Sequence, residues 1–182
     1  MWRRINAIYK EQFTSVAKHA SKTIVLFALT GCTGVNFNFS SVTWKTYNNS
    51  RYGFEFPYPS NWTTLLPPEN DDGAAFVAPN NQSVEIRGWA GNRLSDLTNK
   101  HKNTKQSVNS NFQTKQGIPG VLVVEVSPQV SEMTLTVDKG QVKYYWQGRC
   151  KSEDFDQYYR FFYYIAQQYK VTESKPPILS PG

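Results

Sequence analysis

Long hydrophobic stretches are absent from this chain of 182 residues. The one strongly apolar run, residues 23–31, has nine residues, whereas a helix that spans a bilayer needs about 20. The run is therefore too short to be a transmembrane anchor. Its length instead matches the core of a signal peptide, which is about 7–15 residues long.

Cysteine and histidine are also scarce, with two of each in the chain. His101 is the only histidine after the apolar run, and it lies between two lysines, which indicates a surface position. A Ser-His-Asp hydrolase would need this histidine and a G-x-S-x-G turn, which the sequence lacks. We therefore expect that the protein is not an enzyme.

The apolar run ends in Leu29-Thr30-Gly31-Cys32, which resembles the lipobox of bacterial lipoproteins. In such proteins a peptidase cleaves before the cysteine once its thiol carries diacylglycerol. We expect residues 1–31 to be a signal peptide and Cys32 to be a lipid anchor in the membrane. The segment before the run is basic, as signal peptides require, since Glu11 is its single acid beside Arg3, Arg4, Lys10, Lys18 and Lys22.

Three other interpretations of Cys32 stay open. The run could be a buried helix or strand that ends in a core cysteine. It could belong to an organelle transit peptide, because the first 22 residues contain arginine and serine and little acid. Export would also permit a disulfide between Cys32 and Cys150.

Charge excludes one class of partner. The chain has 20 Lys and Arg and 14 Asp and Glu, a net charge of +6. Five of these bases and one acid precede Cys32, which leaves 15 bases, 13 acids and a net charge of +2. Because a nucleic-acid-binding domain needs a strong basic excess of its own, we expect no nucleic-acid partner.

The remaining chain divides into three parts. Residues 32–43 are polar and uncharged and are predicted to be a tether with a mean span of about 18 Å. Residues 44–171 have the length of one ordinary domain. Residues 172–182 contain three prolines and are predicted to be a disordered tail.

Hydrophobic alternation with a period of two dominates the domain and predicts strands. It occurs in "YGFEFPY", "SVEIRGW", "MTLTV" and "QVKYYWQGRC", while "GVLVVEV" is a continuous apolar strand. Residues 93–113 are polar and are predicted to be a surface helix followed by a loop. The segment "SEDFDQYYRFFYYIAQQYK" has a helical stripe of aromatic residues, with acids at its start and a lysine at its end. The order predicts an α+β fold, a central antiparallel sheet with helices packed on its faces.

The opening of this domain resembles the PsbP-like family. The similar residues are Tyr52-Gly53-Phe54 followed by Tyr58-Pro59-Ser60-Asn61-Trp62, and the resemblance continues through "VKYYWQGRC" and the final helix. It implies an α/β/α sandwich, and it implies a role as a non-enzymatic lipoprotein that assists photosystem II at the lumenal side of cyanobacterial thylakoids. The periplasmic face of the plasma membrane is the alternative location.

The resemblance implies no catalytic residue and no cofactor, with calcium as the one candidate, since plant relatives are linked to calcium at the water-oxidising centre. Asp71 and Asp72 could offer oxygens to calcium, but their spacing lacks the alternating ligands of a calcium loop. An acidic turn that ends at Gly73 accounts for the same residues.

A basic segment is the candidate for contact with photosystem II or another membrane complex. It has a single acid, Asp96, beside Arg93, Lys100, Lys102, Lys105 and Lys115. These bases could equally form a solvated face. A different class of function, binding of a small ligand or polysaccharide through exposed aromatic residues, also stays open, because the closing helix has more aromatic residues than its core stripe needs.

Overall fold

The computed structural model describes residues 41–92 and 104–172. This part of the chain contains ten strands, one α-helix and a 3-10 turn at Ser152–Asp154. In chain order the elements are β1 (Trp44–Asn49), β2 (Phe54–Pro59), β3 (Thr63–Thr64), β4 (Gly73–Ala78), β5 (Asn81–Asn92), β6 (Lys105–Gln113), β7 (Pro119–Val126), β8 (Val130–Lys139), β9 (Val142–Lys151), α1 (Phe155–Gln168) and β10 (Lys170–Val171).

The strands form two antiparallel sheets. The larger has seven strands in the order β3-β4-β5-β9-β8-β7-β6, and the smaller has the order β1-β2-β10. Within the large sheet the alternation seen in the sequence places apolar side chains on one face, here called the inner face. Its buried residues include Val84, Ile86, Met133, Leu135, Val137, Tyr144 and Trp146.

The helix and the small sheet both cover this inner face. Gly148 lies opposite Ile86 and Gly88 lies opposite Trp146, so both glycines belong to it. A Cβ atom at Gly148 would overlap the ring of Phe162 in α1, and one at Gly88 would overlap Phe56 in β2. The two missing side chains therefore allow an aromatic ring from each covering element to rest directly on the sheet backbone.

Aromatic residues fill the space between α1 and the small sheet. Phe161 is fully buried, with its ring 6.0 Å from Trp44 and 5.2 Å from Trp62. Tyr169 follows the end of the helix in extended conformation and is fully buried, 5.7 Å from Phe54. The helix is thus packed on more than one side, which accounts for much of its aromatic surplus.

The predicted fold class is confirmed: antiparallel sheets carry a helix on one face. None of the helices in residues 41–92 and 104–172 is long and apolar enough to cross a membrane.

The prediction of a loop after the surface helix was wrong where the structure describes it. Residues 105–113 form β6, which pairs with β7 at the edge of the large sheet. All of its residues except Phe112 are exposed. An edge strand whose two faces are in solvent along most of its length shows no hydrophobic alternation, because backbone pairing holds most of it in place. The predicted helix itself would fall on residues 93–103, outside the described part.

Candidate functional site

The predicted site residues lie partly outside the described structure. Cys32, Arg93, Lys100 and Lys102 all fall there, so their roles stay predictions. Lys105 is exposed at the first position of β6, whereas Lys115 lies just beyond its last. A strand of this length separates the two lysines by roughly 25–30 Å, so they do not form one compact cluster.

Lys115 is attached to the closing helix. Its backbone N–H donates to the carbonyl of Gln167 at 2.8 Å, and its ammonium lies 5.3 Å from the ring centre of Tyr164. Such a cation over an aromatic ring is worth about 0.5–1 kcal/mol at exposed sites. Lys115 therefore helps to join the β6–β7 connection to α1, in addition to any contact with a partner.

Asp71 and Asp72 form a turn. Asp71 has a positive φ of 49°, and its carbonyl accepts a hydrogen bond of 2.9 Å from the side chain of the buried Asn49. The carboxylate of Asp72 accepts a hydrogen bond of 2.8 Å from the side chain of Asn70. In the part of the chain that the structure describes, no three His, Cys, Asp or Glu side chains are grouped so that they could hold a metal ion.

Cys150 is a free, fully buried thiol at the end of β9. Burial raises its pKa to about 12, and the nearby negative charge of Asp154 adds to the effect. Because the thiolate is the reactive form, the neutral thiol of Cys150 is inert at ordinary pH. Within the described structure Cys150 thus acts as a small buried hydrophobe.

We expect this thiol to make the folded domain sensitive to alkali. The pKa of Cys150 is raised from 9.0 to about 12 by folding, so above about pH 9 the unfolded chain releases a proton that the folded chain retains. The contribution of this raised pKa to the free energy of unfolding is complete below about pH 9. It is lost between about pH 9 and 12, at up to about 1.4 kcal/mol per pH unit. Urea titrations at several pH values measure it. The fall in the free energy of unfolding with pH should be shallower in Cys150→Ala. Part of the fall remains in the variant, because the raised pKa of buried Tyr169 acts in both proteins. An identical fall in the two proteins would contradict the assignment to Cys150.

The face of the large sheet opposite α1, here called the outer face, has a buried charge network. Glu85 of β5 is only 4% exposed. Its carboxylate accepts hydrogen bonds from Arg87 Nε at 2.6 Å and from Arg149 Nη2 at 2.8 Å. The guanidinium groups satisfy the buried carboxylate, while their side chains stay 39% and 45% exposed.

An aromatic pair lies next to this network. Trp89 of β5 and Tyr145 of β9 are direct cross-strand partners, and their rings stack with centres 5.0 Å apart and planes 12° apart. Both residues are partly exposed. This pair was not among the predicted site residues, although a signal was present: each residue alternates with the buried apolar positions of its strand, as Glu85 and Arg87 do.

These sheets, with α1 across one face, form an architecture that is known from a solved structure. The fold is similar to that of cyanobacterial PsbP. The solution structure of cyanobacterial PsbP (CyanoP) from Synechocystis sp. PCC 6803 aligns with a TM-score of 0.54 and 13% identity, covering 79% of this chain and 99% of the other. A crystal structure from Bacteroides thetaiotaomicron VPI-5482 aligns with a TM-score of 0.41 and 10% identity, covering 71% of this chain and 48% of the other.

No family model matches the sequence, and no curated protein matches it. The likeness to PsbP is therefore one of fold. It agrees with the architecture that the Tyr-Gly-Phe and Tyr-Pro-x-x-Trp motifs indicated. Within this PsbP-like fold Trp62 is 8% exposed and packs on Phe161, and Tyr58 is partly buried with its ring stacked 4.0 Å from Phe76.

Proposed function

We propose that this chain is a membrane-tethered accessory protein that assists the assembly or stability of photosystem II at the lumenal face of the thylakoid. The observation that carries the proposal is the fold shared with cyanobacterial PsbP over nearly the whole of that protein. The lipobox-like sequence that ends at Cys32 supports a membrane anchor.

The described structure restricts how such a protein could make contact. The inner face of the large sheet is covered by α1 and the small sheet and is closed to a partner, whereas the outer face and the edge strand β6 are open to one. Lys105 opens the exposed strand β6, and it continues the basic segment that includes Lys100 and Lys102. This segment is the part of the surface that we assign to the partner.

The tether gives weak contacts a larger effect. Eleven uncharged residues between Cys32 and Trp44 span on average about 18 Å, which keeps the domain close to the bilayer. A neighbouring complex then meets the domain at a high effective concentration, so that a few charge pairs suffice for association.

Charge reversal of Lys100, Lys102 and Lys105 to glutamate is expected to reduce association with photosystem II. Exposed charges contribute only about 0–1 kcal/mol to stability, so the melting temperature should change little. Affinity isolation of the tagged full chain from native thylakoid membranes measures the amount of photosystem II subunits recovered. Recovery of the wild type should also fall as salt rises, since the Debye length shortens from about 8 Å at physiological salt.

The matched control reverses three lysines elsewhere, Lys45, Lys139 and Lys151, all of them exposed. It changes the net charge by the same amount and should leave recovery unchanged. Equal recovery with both triple variants would make the basic segment an ordinary solvated face. Failure of the wild type to recover photosystem II, or a source organism without that complex, would contradict the proposed function itself.

Replacing Cys32 by serine should release the domain from membranes or leave uncleaved precursor. Stable anchoring needs at least two lipid signals, and the serine hydroxyl cannot take the place of the thiol in forming the thioether. Membrane fractionation and the mass of the mature N-terminus measure the result. Normal cleavage with full membrane retention in this variant would exclude the lipoprotein interpretation.

A further inference from the structure

Among residues 41–92 and 104–172, the strand β4 that borders the side of Trp89 facing away from Tyr145 has only small residues next to it. Because Tyr145 stacks on the ring from β9, the other ring face is directed over β4 on the opposite side of β5. There the residues opposite Trp89 and Arg87 are Gly73 and Ala75. One ring face of Trp89 therefore lies beside backbone and a single methyl group.

The glycine at position 73 is required by the local packing. A Cβ atom there would overlap the carbonyl oxygen of Gly88 and would lie 2.7 Å from the Cβ of Trp89. At Gly91, the next residue of β5 on this face, no atom lies within 4 Å of the Cβ position. The close approach of β4 and β5 thus keeps the flank of the indole free of side chains.

A second wall stands across β4 from Arg87, diagonal to the indole. Thr63 of β3 lies opposite Val77, and the N–H of Leu65 donates to the carbonyl of Ala75 at 2.9 Å. This continues the pairing of β3 and places Leu65, 38% exposed, on the outer side of the sheet. Strands β3 and β5 are two strand spacings apart, about 9.6 Å. Because Ala75 pairs with Arg87 and Gly73 pairs with Trp89, Leu65 and the indole border a diagonal space above Gly73 and Ala75, here called the slot.

The polar groups around this slot are arranged for an uncharged ligand. Three acids of the outer face, Glu85, Glu132 and Asp138, have cross-strand or hydrogen-bonded bases beside them, namely Arg87, Arg149 and Lys143, so the local charges cancel. Gln147, opposite Arg87, donates to Glu132 at 3.2 Å. The outer N–H groups of Arg87 remain at the rim, since its side chain is 39% exposed and bonds Glu85 with only part of its donors.

We propose that Trp89, Gly73, Ala75, Leu65 and Arg87 form a binding site for one pyranose ring of a β-1,4-linked glycan. An all-equatorial pyranose has C–H bonds on its faces and hydroxyl groups around its rim. Its face packs on the indole, and its hydroxyls accept from the guanidinium of Arg87. Neutral local charge disfavours nucleic acid and anionic lipid, which need a basic excess. The site does not depend on the proposed role in photosystem II.

The test is calorimetric titration of the full chain, held in a detergent without a sugar headgroup, with cellohexaose and with chitohexaose. At least one hexasaccharide should give saturable binding. Trp89→Ala should weaken it about tenfold or more, the equivalent of about 1.4 kcal/mol, whereas Trp89→Phe keeps an aromatic face and should retain most of it.

A second pair of variants tests the slot without touching the tryptophan. Leu65→Ala removes the diagonal wall of the slot and should weaken binding several-fold. Leu66→Ala is the matched control: Leu66 is 96% exposed and its side chain alternates to the other side of the chain, so binding should not change. Absence of binding by both sugars in the wild type would overturn the proposal. Binding that Trp89→Ala and Leu65→Ala leave unchanged would also overturn it, because the sugar would then bind elsewhere.

Discussion

Replacement of Phe162 by alanine is expected to destabilise the domain by about 3–5 kcal/mol, the usual cost of deleting a buried aromatic ring. Phe162 is fully buried on α1, rests on the backbone of Gly148, and has ring contacts with Trp146 at 6.3 Å and with Phe161 at 5.7 Å. Its removal leaves a cavity between the helix and the sheet, which the stiff rings around it can fill only in part.

Urea denaturation followed by circular dichroism measures this loss. Arg160→Ala is the control on the same helix, since Arg160 is exposed and surface substitutions usually change stability by less than about 0.5 kcal/mol. A cost below about 1 kcal/mol for Phe162→Ala would mean that the helix is not held to the sheet through this ring.

Gly148→Val should destabilise the domain by a comparable amount, because it adds atoms to the core instead of leaving a cavity. A Cβ atom at this position already overlaps the ring of Phe162, and valine adds two methyl groups to it. Overpacking of a core costs about 1–3 kcal/mol and sometimes more. For Gly148→Val we expect a cost at the upper end of this range, because the added atoms overlap a fully buried ring.

The two sites should be energetically coupled. In a background that lacks the Phe162 ring, Gly148→Ala has space for its methyl group, so its cost should fall by about 1 kcal/mol or more in a double-mutant cycle. Gly91→Ala provides the control: it also lies in the large sheet but has open space around its Cβ position, and it should change stability little. Additive costs at Gly148 and Phe162 would contradict the direct contact.

The sequence was sufficient to predict the elements that have one buried side. The alternation in β5, β8 and β9 arises because one face of the sheet is covered and the other meets solvent, and the 3.6-residue stripe of α1 has the same cause. Edge strand β6 has no covered side along most of its length, so polar composition indicated a loop instead. Tyr169 continues the stripe of the helix in sequence, although the helix ends at Gln168.

The candidate site was harder to predict because it depends on strand register. Trp89 and Tyr145 are 56 residues apart in the chain, and only the pairing of β5 with β9 makes them neighbours. The slot also depends on Gly73 and Leu65, whose positions follow from β3 and β4. For the basic segment, the sequence showed a local excess of charge but not that Lys105 and Lys115 lie at opposite ends of a strand.

The small sheet joins early and late parts of the chain. Strand β2 pairs with β10, and Lys170 Nζ lies 2.6 Å from Glu55 Oε1 across 115 residues of sequence. During synthesis, at about 5–20 residues per second, β2 therefore emerges many seconds before its partner. Until α1 and β10 follow, the inner face of the large sheet lacks the helix that covers part of it, and the core of the nascent chain is incomplete. The order of the elements therefore delays completion of the core until nearly all of the domain has been made.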